Sequence, residues 1–155
     1  DVDWASAFKM HLKIKLINTK TGSQALYGPY QTNAYQKTPT CEIQGTSKFW
    51  FGFTTNGSSW TNGVDITEIP IVQNGVYEIT IDYNGSKIDI TVTDGTNVAT
   101  RTITPSGALY HSSSYNIGFG NIARNSSLYS NYVYFDPDNC YIESNGTLVW
   151  GAKPL

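Results

Sequence analysis

The stretch VYEITIDYNGSKIDITV, Val76 to Val92, decides the class of fold. Put Asn84-Gly85 at the two central positions of a turn and the flanking segments fold back on each other. Ile81 then meets Ile88, Ile79 meets Ile90, and Tyr77 meets Val92. One face is wholly apolar, while the other sets Glu78, Thr80 and Asp82 against Lys87, Asp89 and Thr91. Side chains alternate with a period of two along a strand, so this pattern buries one face and wets the other. Asn-Gly suits the turn, because tight hairpin turns need the positive φ that Asn and Gly tolerate. The stretch is a half-buried antiparallel hairpin.

The same pattern recurs on either side. In FKMHLKIKLI, Phe8, Met10, Leu12, Ile14 and Leu16 point one way, and Lys9, His11, Lys13 and Lys15 the other. KFWFGFT sets Phe49, Phe51 and Phe53 against Trp50 and Gly52, and YNIGFG sets Tyr115, Ile117 and Phe119 against Asn116 and Gly118. The closing stretch FDPDNCYIESNGTLVWG, Phe135 to Gly151, reads as a turn followed by a last hairpin. Asn145-Gly146 would pair Ile142 with Val149 and Tyr141 with Trp150, which makes Trp150 structural. Two longer connections remain, about Gly22 to Thr40 and Gly57 to Val64. No helix and no internal repeat is visible.

Composition agrees. Only 14% of residues are charged, and Tyr alone numbers 11. Strand formers broken by Gly and Asn indicate an all-β chain. Roughly ten or more short, one-sided strands close into two antiparallel sheets packed face to face, a β-sandwich. The 155 residues suit a single domain, with residues 1–7, Trp4 among them, as a lead-in segment. An immunoglobulin-type sandwich is shorter and carries a Cys…Trp…Cys pattern that is not found. The formal charge of −2 gives no electrostatic footprint for nucleic acid or an anionic membrane surface. No apolar run is long enough for a transmembrane helix. No signal peptide is visible at Asp1, which suggests a processed product or an excised domain. Cys41 and Cys140 are either a bridge or two buried thiols.

The order of these segments resembles the concanavalin A-like lectin/glucanase, or laminin-G-like, jelly roll. It runs from the amphipathic first strand through KFWFGF, YEITIDYNGSKIDITVTDGT and YNIGFG to an aspartate followed by CYIESNGTLVWG. The resemblance covers about Phe8 to Gly151 and is nearest to versions in phage tail and baseplate proteins and in secreted bacterial surface proteins. One departure is YFDPDN, where many relatives have a plain strand. The resemblance implies a jelly roll of 12–14 strands, an extracellular or virion location and often glycan binding. It does not fix a ligand, because this fold also hosts hydrolases and spacers.

Glycoside hydrolysis needs two carboxylates about 5–9.5 Å apart. Glu78 and Asp82 share a strand face but stand about 13 Å apart, and Asp82 faces Lys87. Asp89 faces Thr80. Neither His11 nor His111 makes a Ser–His unit with the serines beside His111. Asp136 and Asp138 in DPDN could hold Ca²⁺, but the run supplies too few oxygens, lacks calcium-loop spacing and reads first as a plain turn. No other cofactor is indicated.

The aromatics are the stronger signal. Sugar rings present C–H patches that stack on aromatic faces, and their hydroxyls pair with Asn, Gln, Ser and Asp. Trp60 sits in TNGSSWTNG beside Ser59 and Asn62. Tyr27, Tyr30 and Tyr35 lie in ALYGPYQTNAYQK with Gln31, Asn33 and Gln36. Trp50 and Asn116 lie on outward strand faces, and Tyr110 and Tyr129 complete the set. The candidate ligand residues are Trp60, Asn62, Tyr30, Tyr35, Trp50, Tyr110 and Asn116. The expected function is non-catalytic recognition of a glycan or polysaccharide, with a structural module touching neighbouring virion or surface proteins as the alternative and a glycoside hydrolase behind both. The sequons at Asn56, Asn84, Asn125 and Asn145 matter only in a eukaryotic secretory host.

Overall fold

The computed structural model describes residues 2–19, 21–29, 39–111, 117–124, 127–130 and 132–153. They form fourteen strands: β1 (Phe8–Leu16), β2 (Ser23–Pro29), β3 (Thr40–Gln44), β4 (Lys48–Phe53), β5 (Asn62–Ile66), β6 (Val76–Tyr83), β7 (Ile88–Thr93), β8 (Val98–Ile103), β9 (Ile117–Phe119), β10 (Asn121–Arg124), β11 (Ser127–Ser130), β12 (Val133–Phe135), β13 (Tyr141–Ser144) and β14 (Thr147–Gly151). One sheet runs β14-β13-β1-β6-β7-β8, with β12 also paired to β1. A second runs β5-β4-β3-β2-β9, and β10 and β11 make a small hairpin of their own. All pairings are antiparallel. This is the all-β, two-sheet sandwich that the alternation predicts.

The inward residues are those the patterns select. Phe8, Met10, Leu12, Ile14 and Leu16 of β1 face Phe49, Phe51 and Phe53 of β4 in one continuous core. The Phe49 and Tyr77 rings meet edge to face across the two sheets, 5.2 Å apart. The Tyr77 hydroxyl accepts from the Val72 N–H at 2.8 Å and donates to the Pro70 carbonyl at 3.0 Å. It thereby ties the chain before β6 to the core. Trp4 also belongs to this core. It is buried and meets Phe8 edge to face at 5.0 Å. The lead-in is therefore part of the packing, held by a turn in which Asp3 accepts from Ala5 and Ser6.

The deciding hairpin forms with its register moved by two residues. Tyr83 pairs with Ile88, Ile81 with Ile90 and Ile79 with Val92. The turn centres on Gly85-Ser86, with Gly85 at φ +94, and the Asn84 side chain accepts from the Ser86 and Lys87 amides at 3.0 and 2.8 Å. Asn84 thus works as a side-chain cap rather than as a left-handed residue. Asp94 repeats the device, accepting from Thr96 and Asn97. A shift of two keeps every side chain on its expected face, so the core is unchanged.

Two further expectations are corrected. The Gly22–Thr40 connection contains a strand, β2, on which Gln24, Ala25, Leu26 and Tyr27 are all buried. A strand covered on both faces loses its alternation, and the β10–β11 hairpin lies against β2. In the closing hairpin, Glu143 pairs with Leu148, and a bulge then sets Ile142 opposite Trp150 and Tyr141 opposite Gly151. Trp150 stacks on Phe119 of the other sheet, 4.3 Å apart and 10° from parallel. DPDN forms a single 3-10 turn over Pro137–Asn139, capped by Asp136. Cys41 and Cys140 are two buried free thiols: Cys41 lies on β3, the middle strand of its sheet, and the Cys140 sulfur lies 3.4 Å from the Lys13 amide of β1. Burial pushes both thiols above their ordinary pKa, Cys41 strongly so.

Candidate functional site

The outward face of β4 and β5 gathers two of the four tryptophans, Trp50 and Trp60. Trp50 stands in register between Glu42 of β3 and Asp65 of β5, and Gly52 stands between Thr40 and Gly63. The Trp50 indole lies across both glycines. A Cβ on Gly52 would come within 2.5 Å of Trp50 Cη2, and one on Gly63 within 3.4 Å of Trp50 Nε1. Trp60 comes down from the loop onto the same floor, 3.0 Å from that Gly52 Cβ position. The two indoles meet edge to face, 5.4 Å apart at 79°. Glycine is needed at Gly52, where a Cβ would collide with the Trp50 ring, while at Gly63 a Cβ would make only an ordinary contact.

The loop that carries Trp60 is built from its own polar groups. Asn56 Oδ1 accepts from the amides of Ser58 and Ser59 at 2.9 and 3.0 Å, and Thr54 Oγ1 accepts from Gly57 at 2.9 Å. Thr61 Oγ1 accepts from the Thr55 amide, and Asn62 Nδ2 donates to Thr61 Oγ1 at 3.1 Å. Gly57, at φ +65, meets the Tyr110 ring, which would stand 2.8 Å from a Cβ there. Tyr110 is held by its amide, which donates to Thr54 O at 2.8 Å. Trp50, Trp60, Asn62 and Tyr110 are thus brought together around one loop. Trp50 and Trp60 are partly buried, and the Trp60 indole N–H is buried with no hydrogen-bond partner among the described residues. Lys48 pairs with Asp65 at 2.9 Å at the margin. Tyr30, Tyr35 and Asn116 lie outside the described residues, as does the side chain of Tyr129. Tyr27 faces the core, where burial holds its phenol well above the usual range.

Sequence reasoning missed the Gly52–Gly63 floor. The signal for it is a glycine two residues after Trp50, facing the same way.

The other candidate chemistry is also placed. The two-residue register shift sets Asp82 directly opposite Asp89, which the sequence reading kept apart. Lys9 lies 3.8 Å from Asp82, and Lys87 lies 3.0 Å from Asp89. A hydrogen bond from Thr102 and the nearby Lys87 hold Asp89 below the usual carboxylate range, so it stays ionised and has no proton to donate at neutral pH. His11 Nδ1 lies 3.0 Å from Thr80 Oγ1, and its ring stacks on Tyr141. Asp136 uses both carboxylate oxygens on its cap, toward the Asp138 amide and Asn139 Nδ2. Among the described residues no three His, Cys, Asp or Glu side chains group as metal ligands.

Burial lowers the His11 pKa below its ordinary 6.5. The folded chain therefore holds this proton less tightly than the unfolded chain. The stability involved is complete above the unfolded value and declines as pH falls toward the folded one. An NMR titration should give a His11 midpoint below that of an unperturbed histidine side chain; a midpoint at or above 6.5 contradicts the burial argument.

The architecture is the concanavalin A-like jelly roll. The chain is similar in structure to the LG1-3 region of the laminin α2 chain (TM-score 0.66, 11% identity, 97% of this chain and 30% of that one). It is similar to the CBM40 of the Ruminococcus gnavus IT-sialidase, bound to α2,3-sialyllactose (0.63, 9%, 86% and 77%). It is also similar to an alginate lyase from Klebsiella pneumoniae (0.61, 11%, 90% and 60%). The chain thus spans less than two thirds of the laminin and lyase chains it matches. No protein-family model matches the sequence, and no curated protein does.

Proposed function

We propose that this chain is a non-catalytic carbohydrate-binding module, displayed on a phage tail or a secreted bacterial protein. The observation that carries it is the Trp50–Trp60 pair, laid on a glycine floor on an outward sheet face and rimmed by Asn56, Ser59, Thr61, Asn62 and Tyr110. Such a surface offers ring faces and edges to sugar C–H groups, and amide and hydroxyl groups to sugar hydroxyls. The same fold serves sialyllactose binding in the Ruminococcus module, which supports the reading. Display in many copies would raise a weak single-site affinity by avidity.

A glycan array that includes bacterial surface polysaccharides tests this with wild type and Trp60→Ala side by side. Selective binding by wild type should weaken about tenfold or more in the variant, a loss of about 1.4 kcal/mol. Equal binding by both would remove the site assignment. Silence from folded wild type would favour the structural-module reading. Release of products from alginate or another polysaccharide would overturn the non-catalytic reading.

A further inference from the structure

We infer a second glycan site on the outward face of the β1-containing sheet, built on Tyr132, Tyr134 and Lys15 and selective for carboxylated sugars. It stands apart from the Trp50–Trp60 surface and does not rest on it. Tyr134, Lys15 and Val76 form one cross-strand row over β12, β1 and β6. Tyr132 and Ile17 lie one step beyond, where the Ile17 amide donates to the Tyr132 carbonyl at 2.7 Å. Tyr132 is 50% exposed and Tyr134 56%, and Ile17 and Val76 are exposed as well. Half-exposed apolar side chains gathered in this way mark an interaction surface.

The charge says which kind. Lys9, Lys13, Lys48, Lys87, Arg101 and Lys153 each lie within 3.8 Å of a carboxylate. Lys15 is exposed and has no such partner among the described residues. The row itself contains no acid; in the next row inward Glu78 is taken by Lys13 at 3.4 Å, and Asp136 is taken by the turn it caps. The fitting occupant brings its own anion and flat C–H faces. Tyr134 stands on β12 and Tyr132 two residues before it, where its carbonyl holds the Ile17 amide; two residues of extended chain span about 6.6 Å, so each ring could stack on its own sugar while Lys15 takes a carboxylate. A chain of uronate residues has that chemistry.

The test is affinity electrophoresis and calorimetry with polygalacturonate, alginate and hyaluronate, using methyl-esterified polygalacturonate as the uncharged control. Wild type should bind at least one acidic polymer, more weakly as salt rises. Lys15→Gln and Tyr134→Ala should each weaken that binding about tenfold, while Trp60→Ala binds as wild type does. Binding unchanged in Lys15→Gln and Tyr134→Ala, or no binding of any acidic polymer by folded wild type, overturns the inference. Loss in Trp60→Ala alone would also overturn it, and would move the acidic ligand to the first site with the proposed function intact. Sedimentation gives a further check. A concentration-dependent dimer that Tyr134→Ala dissociates would make the patch a protein contact instead.

Discussion

Gly52→Ala should abolish the tryptophan surface while leaving a folded sandwich. The new methyl would meet Trp50 Cη2 at 2.5 Å, Trp60 Cε3 at 3.0 Å and Thr40 Cγ2 at 3.1 Å. Two of the three are rings resting on the sheet, and both must lift. Overpacking of this kind costs about 1–3 kcal/mol, which a domain of this size survives. The near-UV circular dichroism signal from the coupled indoles should collapse, and glycan affinity should fall about tenfold or more. Gly22→Ala is the matched control, because a Cβ there meets nothing within 4 Å. It should leave both readouts unchanged and stability within about 0.5 kcal/mol. If Gly52→Ala keeps the indole signal and the affinity, the flat seating of Trp50 and Trp60 is wrong.

Phe49→Ala should have the largest effect on stability. Phe49 is fully buried, and its ring meets Tyr77 across the two sheets. Removing it costs the transfer free energy of the ring and leaves a cavity that neighbouring strands cannot close, about 3–5 kcal/mol in all. Chemical denaturation should show the midpoint falling with little change in slope. A loss below about 1 kcal/mol would mean that the two sheets do not depend on this contact. Both variants act on β4, whose alternate residues face in opposite directions. The inward ring governs stability and the outward glycine governs the site.

Where alternation existed, the sequence was readable. β1, β4, β6 and β7 carry apolar residues at every second position, and all of them face the core as expected. The turn after Tyr83 was placed two residues off, because an asparagine before a glycine can enter the turn or cap it from outside. Parity protected the faces from that error, though not the Asp82–Asp89 pairing that follows from it. β2 was hidden for the opposite reason: it is covered on both sides, so no pattern separates them. Trp50 and Trp60 could be marked as aromatics in suitable surroundings, and their chain positions gave no sign of contact. Their meeting depends on the fold of an eight-residue polar loop (residues 54–61), which side-chain hydrogen bonds set one by one.

The two buried thiols have a practical consequence. Cys41 sits at the centre of one sheet and Cys140 beside β1 in the other, and no bridge joins them. A thiol reagent in solution reaches neither until the strands around it part. The labelling rate at each cysteine is then a clock for the opening of its own sheet, and a pair of single-cysteine variants would reveal whether the two layers of the sandwich come apart together or in turn.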